Sequence, residues 1–85
     1  MTQQDAECLA DALRNRFEAE VEMELVNPAG RYRFAVVSPQ FQKMTQLARQ
    51  DEIWKVVNET MSREATLDIT LILAFAPDEL VDTGV

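Results

Sequence analysis

Hydrophobic and polar positions follow two different periods along this chain, and each change of period marks a change of element. Between Ala6 and Phe17 the apolar residues recur every three or four positions, which predicts an amphipathic helix. Thr2 and Asp5 precede this run in a capping-box-like arrangement. Cys8 lies nearly opposite the apolar stripe, so we expect its thiol to be exposed.

The period then changes to two, which is typical of strands. Glu20–Leu25 and Arg31–Val37 both alternate, and Asn27–Gly30 between them has the composition of a turn. A four-residue turn sets inward apolar residues of one strand opposite inward apolar residues of the other. The same register sets Glu24 opposite Arg33 on the outward face, as an opposite-charge pair. The pattern therefore predicts a hairpin with a defined register.

Helical spacing returns after Ser38-Pro39, where serine is expected as the N-cap and proline in the first helical position. The apolar positions between Phe41 and Met61 mostly follow this spacing, with a polar interruption over Arg49–Glu52. We predict a short helix running into a longer one, with the junction near Lys43–Thr45. A single kinked helix is the alternative.

The apolar run Leu67–Phe75 predicts the last strand, which Pro77 ends. Strict alternation gives it an inward set of Leu67, Ile69, Leu71, Leu73 and Phe75. A strand, a helical crossover and a second strand normally leave the two strands parallel and adjacent. The predicted fold is α+β, in the order α-β-β-α-α-β, with a three-stranded mixed sheet and the helices on one face. We expect one domain over residues 1–85, with a frayed tail from about residue 82.

The composition removes most side chains that catalysis and metal binding use. The 85 residues include no histidine and one cysteine, so the common general bases, nucleophiles and nitrogen or sulfur metal ligands are scarce. Carboxylates remain, but an open sheet face offers no pocket that would separate their pKa values. We therefore expect no enzymatic activity, no cofactor and no metal.

Charge and segment patterns narrow the class of partner. The net charge of −7 opposes binding to phosphate backbones, and the eight basic residues never form a run. Met1–Asp5 lacks the basic and apolar regions of a secretion signal, and no apolar run is long enough to span a membrane. The expected location is the cytoplasm, and the expected partner is a protein.

Four sequence features between Phe34 and Glu79 occur in a recognisable order. They are Phe34–Phe41, Arg49, the apolar pair Ile53-Trp54 and the ending Ala76–Glu79. Together they resemble BolA-like proteins, which have a strand ending in valine-serine, a nearby phenylalanine, a helix, and a last strand running into threonine-proline-glutamate. The resemblance spans roughly residues 34–80 and implies a fold related to the type II KH module.

The resemblance implies partnership with monothiol glutaredoxins, in some members through a shared two-iron, two-sulfur cluster, and a role in iron handling, stress response or transcriptional control. The family's characteristic histidine, nine residues before the closing proline, corresponds to Asp68. Its companion ligand would fall within Asn27–Arg31, which contains neither histidine nor cysteine. Because a carboxylate is a poor ligand for such a cluster, we expect partnership without cluster ligation.

The outward face of the sheet is the expected docking surface. Ala35 and Val37, with Ile72 and Ala74 on the neighbouring strand, are predicted to form a small apolar patch there. The candidate partner-binding residues beside it are Asp68, Thr70, Arg31 and Arg33. The sequence thus predicts a noncatalytic interaction module, and self-association stays open.

The alternative is a nucleic-acid-associated transcriptional regulator with a KH-like fold. It requires a local basic patch, for which Arg49, Lys43 and Arg33 would have to converge against the global charge. The GxxG loop that KH modules use to hold the backbone is absent, since the glycines are Gly30 and Gly84.

Overall fold

Seven elements follow one another in the computed structural model, which describes residues 1–26 and 30–79. In order they are α1 (Gln3–Phe17), β1 (Glu20–Val26), β2 (Arg31–Val37), a 3-10 helix (Pro39–Lys43), α2 (Gln46–Thr60), α3 (Arg63–Thr66) and β3 (Ile69–Phe75). The α+β class and the predicted order are confirmed, and the expected short helix is the 3-10 helix. The single-turn α3 was not predicted. Most of the predicted turn and the whole tail from residue 82 lie outside the described residues.

The three strands form a sheet in the order β1-β2-β3, with β1 antiparallel and β3 parallel to β2. The predicted hairpin register is confirmed, since Met23 lies opposite Phe34 and Glu24 opposite Arg33. Between β2 and β3 the register shifts once. Tyr32 is opposite Ile69 but Arg33 is opposite Leu71, so β3 has one extra residue at this point.

This bulge decides which face of β3 is buried. Ile72 and Ala74 point towards the helices, with 2% exposure each. The outward residues of β3 are Leu71, Leu73 and Phe75. The predicted inward set of Leu67, Ile69, Leu71, Leu73 and Phe75 is therefore wrong, except that Ile69 packs against the core. From Leu71 to Phe75 both alternating sets of this strand are apolar, so hydrophobicity does not show which set of this half is buried.

The core lies between the sheet and the helices. Its largest fully buried side chains come from α1, β2, the 3-10 helix and α2: Leu9, Leu13, Phe17, Phe34, Val36, Phe41, Ile53 and Val57. The rings of Phe17 and Phe41 pack in a tilted arrangement with centroids 5.1 Å apart. As predicted, the helices cover one face of the sheet, and Cys8 is exposed. None of the helices in the described ranges is long and apolar enough to cross a membrane.

The helix starts follow the predicted capping chemistry. Thr2 and Asp5 form a reciprocal capping box at α1. Ser38 accepts a hydrogen bond from the Gln40 backbone N–H, with Pro39 following it. The buried Ser38 hydroxyl also donates to the Phe17 carbonyl at 2.6 Å. This residue therefore fixes the end of β2 against the end of α1.

Candidate interaction surface on the outward face of the sheet

Three columns of side chains cover the face of the sheet that points away from the helices. We call this surface the outward face; its residues are Glu20, Glu22 and Glu24 on β1, Arg33, Ala35 and Val37 on β2, and Leu71, Leu73 and Phe75 on β3. The strand register aligns them in three rows: Glu24-Arg33-Leu71, Glu22-Ala35-Leu73 and Glu20-Val37-Phe75. The outward face therefore has an acidic side and an apolar side.

The apolar side is larger than the sequence predicted. Leu71 is 46% exposed, and Leu73 and Phe75 are partly exposed. The predicted patch placed Ile72 and Ala74 here, which is wrong because both residues are in the core. The predicted Ala35 and Val37 do belong to it. Replacing an isoleucine and an alanine by two leucines and a phenylalanine makes this patch more apolar than expected.

The acidic side consists of three exposed glutamates on one strand. Glu24 forms an ion pair with Arg33 across the hairpin, as the register predicted. In the described ranges, Glu20 and Glu22 form no ion pair, and their neighbours on β2 are apolar. A shallow depression of about 290 Å³ separates these two glutamates from Phe75, with Ala35 and Val37 also lining it.

Three of the four sequence-predicted residues meet at one end of the outward face. Arg31 and Arg33 are exposed near the start of β2, and Thr70 lies in the adjacent bulge, where its hydroxyl donates to the Tyr32 carbonyl at 3.1 Å. The Asp68 side chain does not join them, although at the same end the Asp68 carbonyl accepts a hydrogen bond from the Tyr32 N–H at 2.7 Å. Its half-buried carboxylate pairs with the amine of Met1, a residue that packs against the core. Asp68 is thus the least accessible of the four candidates.

A second cluster of charged side chains, which the charge pattern did not reveal, lies where β3 ends. The Arg49 side chain is 4% exposed and binds both carboxylate oxygens of Glu79, at 2.8 and 3.0 Å. The guanidinium also donates to the carbonyls of Met44 and Ala74, at 3.1 and 3.2 Å. These contacts, with the Ala76 N–H donating to Glu79 at 2.8 Å, clamp the segment after β3 onto α2.

The hydrogen bonds of this clamp shift the pKa values of both charged partners. Hydrogen bonds from Arg49 and from the Ala76 backbone lower the pKa of Glu79 from 4.5 to about 2. The same Glu79 contact raises the pKa of Arg49. Both charges are therefore held in a bidentate pair that satisfies the buried guanidinium.

The fold of this chain is also found in solved structures, among them the following three. BolA1 from Arabidopsis thaliana is 20% identical, with a TM-score of 0.71 over 92% of this chain and 98% of that one. The BolA domain of SufE1 from Arabidopsis thaliana is 21% identical, with a TM-score of 0.67 over 93% and 98%. A Bol-like protein from Babesia bovis is 16% identical, with a TM-score of 0.60 over 100% and 95%. This chain has the BolA fold. No protein-family model and no curated protein matches its sequence, so the predicted resemblance is confirmed at the level of the fold.

The iron-sulfur cluster that the BolA resemblance implies does not fit the residues present. The chain has no histidine, and its single cysteine is Cys8, which is exposed on α1. The carboxylate of Asp68 is engaged by the Met1 amine. Within residues 1–26 and 30–79, no three potential ligands gather at one point. An imidazole or thiolate set of the kind that holds such clusters cannot be assembled from this chain.

In the part of the chain that the structure describes, the three cations predicted to converge on a basic patch do not all remain available. Arg49 is buried and paired with Glu79, and Arg33 is paired with Glu24 on the outward face. Lys43 lies at the end of the 3-10 helix and is exposed. Two of the three cations are thus already neutralised by carboxylates of this chain.

Proposed function

We propose that this protein is a noncatalytic protein-interaction module with the BolA fold, and that its partner docks on the outward face of the sheet. The observation that carries the proposal is the apolar column Leu71, Leu73 and Phe75, which no described helix covers. Apolar patches with a charged rim are typical of sites where proteins associate. Arg31, Arg33 and Thr70 form part of that rim, and Asp68 contributes from its edge.

The first candidate partner is a monothiol glutaredoxin in the cytoplasm, with a regulatory role in stress or iron handling. The fold and the resemblance of residues 34–80 support this choice. One structural neighbour is a BolA domain of SufE1, and its occurrence as a domain supports a modular role. Because the ligand set is absent here, the complex would be held by surface contacts and not by a shared cluster.

Co-elution with a cluster-loaded monothiol glutaredoxin tests this function. We expect a complex on size exclusion, with the visible absorption of the glutaredoxin cluster unchanged. Leu71→Ser should abolish it, whereas Leu47→Ser, at a leucine that is 73% exposed on α2, should not. Asp68→Arg and Thr70→Arg test whether the partner also contacts the sequence-predicted residues at one end of the outward face.

Two results would contradict the proposal. Absence of a complex with the unaltered protein would remove glutaredoxin as the partner. Purification of this protein alone with stoichiometric iron and a cluster spectrum would contradict the loss of ligation.

For the nucleic-acid alternative, we expect no salt-sensitive binding to short DNA or RNA at two salt concentrations. A clear salt-dependent complex would reverse the order of the two functions.

A further inference from the structure

We propose that the segment docking on the outward face is an amphipathic α-helix of the partner, lying along the strands with its basic flank over β1 and its apolar flank over β3. The inference rests on the proposed function and specifies the chemistry of the docking segment. It is argued from the charge of the outward face, from the width of that face, and from the hydrogen bonds at the β3 edge of the sheet.

Charge complementarity selects a basic flank. Glu20, Glu22 and Glu24 lie in one exposed column; among the described residues, Glu24 alone of the three is paired with a cation, Arg33. Alternate residues of a strand are about 6.6 Å apart. Basic residues four positions apart on a helix are separated by about 6 Å along its axis. Lysines or arginines on one side of a helix can therefore face successive glutamates.

The width of the outward face also suits a helix. The columns on β1 and β3 are two strand spacings apart, about 9.6 Å, which is close to the diameter of a helix with its side chains, about 10 Å. Between them, Ala35 and Val37 are small and line the depression beside Phe75. A helix placed over these residues would bring its apolar side against Leu71, Leu73 and Phe75.

Hydrogen bonds at the β3 edge of the sheet disfavour the other common mode there, in which a partner strand extends the sheet. At the outer edge of β3, the Ile72 carbonyl accepts a hydrogen bond from Gln50 at 2.9 Å. The Ala74 carbonyl accepts from Gln46 and Arg49, at 3.3 and 3.2 Å. An added strand would have to displace these α2 side chains, whereas a helix on the outward face leaves them in place.

A second copy of the chain is also a poor occupant. Each copy carries a net charge of −7. Face-to-face stacking would bring the glutamate column of one copy against either the glutamates or the apolar column of the other. Both arrangements desolvate carboxylates without pairing them, which is unfavourable at an interface.

The test uses a synthetic peptide as a stand-in for the partner segment. It has 14 residues, blocked ends, leucines on one helical face and lysines on one flank; a scrambled peptide of the same composition is the control. Titration calorimetry should show salt-sensitive binding of the first peptide only, and amide shifts should map to β1, β2 and β3. Glu22→Lys should weaken binding at least about tenfold.

Matched variants separate the site from the overall charge. Glu7→Lys, on the exposed surface of α1, changes the net charge by the same amount as Glu22→Lys and should leave affinity within about twofold. Leu71→Ser should abolish binding and Leu47→Ser should not.

Several outcomes would overturn the proposal. One is an equal loss of peptide affinity in Glu7→Lys and Glu22→Lys, and another is equal affinity for the scrambled peptide. The others are amide shifts confined to the β3 edge and the absence of binding at millimolar peptide. A dimer in sedimentation velocity that Leu71→Ser dissociates would assign the outward face to a second copy. Leu71-dependent co-elution with glutaredoxin but no peptide binding would refute the helix and leave the interaction module standing.

Discussion

Both faces of the sheet carry large apolar residues, but the environments of these residues differ. On the helix side, Phe34 and Val36 are fully buried and Ile72 is 2% exposed. On the outward face, Leu71, immediately before Ile72, is 46% exposed. From Leu71 to Phe75 both faces of β3 are apolar, although only one packs against the helices that the structure describes. An apolar run can therefore form a strand with two apolar surfaces, of which only one is buried by the described helices.

Two arginines show the same difference between the buried and the exposed face. Arg49, on the helix side, has all three guanidinium nitrogens hydrogen-bonded, to Glu79 and to two carbonyls. Arg33, on the outward face, forms an ion pair that remains accessible to solvent. Arg49 is therefore a structural residue, and Arg33 is accessible to a partner.

Truncating a side chain on the buried face should have the largest effect on stability. Phe34→Ala should lower the free energy of unfolding by about 3–5 kcal/mol, because it removes a fully buried ring and leaves a cavity. Urea denaturation followed by circular dichroism measures it. Should this variant fail to fold, Ile72→Val at the same face should cost about 0.5–1.5 kcal/mol. Negligible loss in Ile72→Val would contradict the assigned face of β3.

Removing the buried charge tests the clamp. Arg49→Met should lower the free energy of unfolding by about 2 kcal/mol, since the hydrogen bonds from a charged donor to Glu79, Met44 and Ala74 are lost. Arg33→Met, which breaks only an exposed pair, is the control and should cost under about 1 kcal/mol. Equal effects of the two changes would refute the distinction between structural and accessible arginines.

The clamp also predicts a pH dependence. A carboxyl whose pKa is lowered by folding stabilises the folded state fully above its ordinary pKa, here 4.5, and this contribution is lost as the pH falls towards 2. Melting temperatures of the unaltered protein and of Glu79→Gln should therefore differ most above pH 5 and converge between pH 4.5 and 2. A difference that stays constant over this range would contradict the lowered pKa of Glu79.

The smallest stability effect is expected on the outward face. Leu71→Ser should change the free energy of unfolding by no more than about 0.5 kcal/mol, because the side chain is already half exposed. The same urea denaturation measures this change, and it also shows whether the variant used in the binding experiments is folded. A loss comparable to that of Phe34→Ala would mean that Leu71 is part of the core.

Much of the framework followed from local pattern. The capping box at Thr2, the Ser38-Pro39 helix start and the hairpin register with Glu24 opposite Arg33 were all predicted, and the structure confirms them. Each depends on residues close in sequence, or on strict alternation of apolar and polar residues. The prediction of which face of β3 is buried was wrong because that strand does not alternate in polarity.

The candidate site was predicted only in part. Arg31, Arg33 and Thr70 do gather at one end of the outward face, because parallel strands begin at the same end of a sheet. Asp68 is drawn towards Met1 instead. Leu71, Leu73 and Phe75 were missed, since periodicity assigned them to the core.

By itself, the sequence determined the α+β class, the element order, the hairpin register and the absence of histidine chemistry, because these depend on local periodicity and on composition. The tertiary structure alone decided which side of β3 is buried, through a one-residue bulge at Thr70. It also paired Arg49 with Glu79, thirty residues away. Both outcomes depend on how distant elements pack, and no local pattern of apolar and polar residues records that packing.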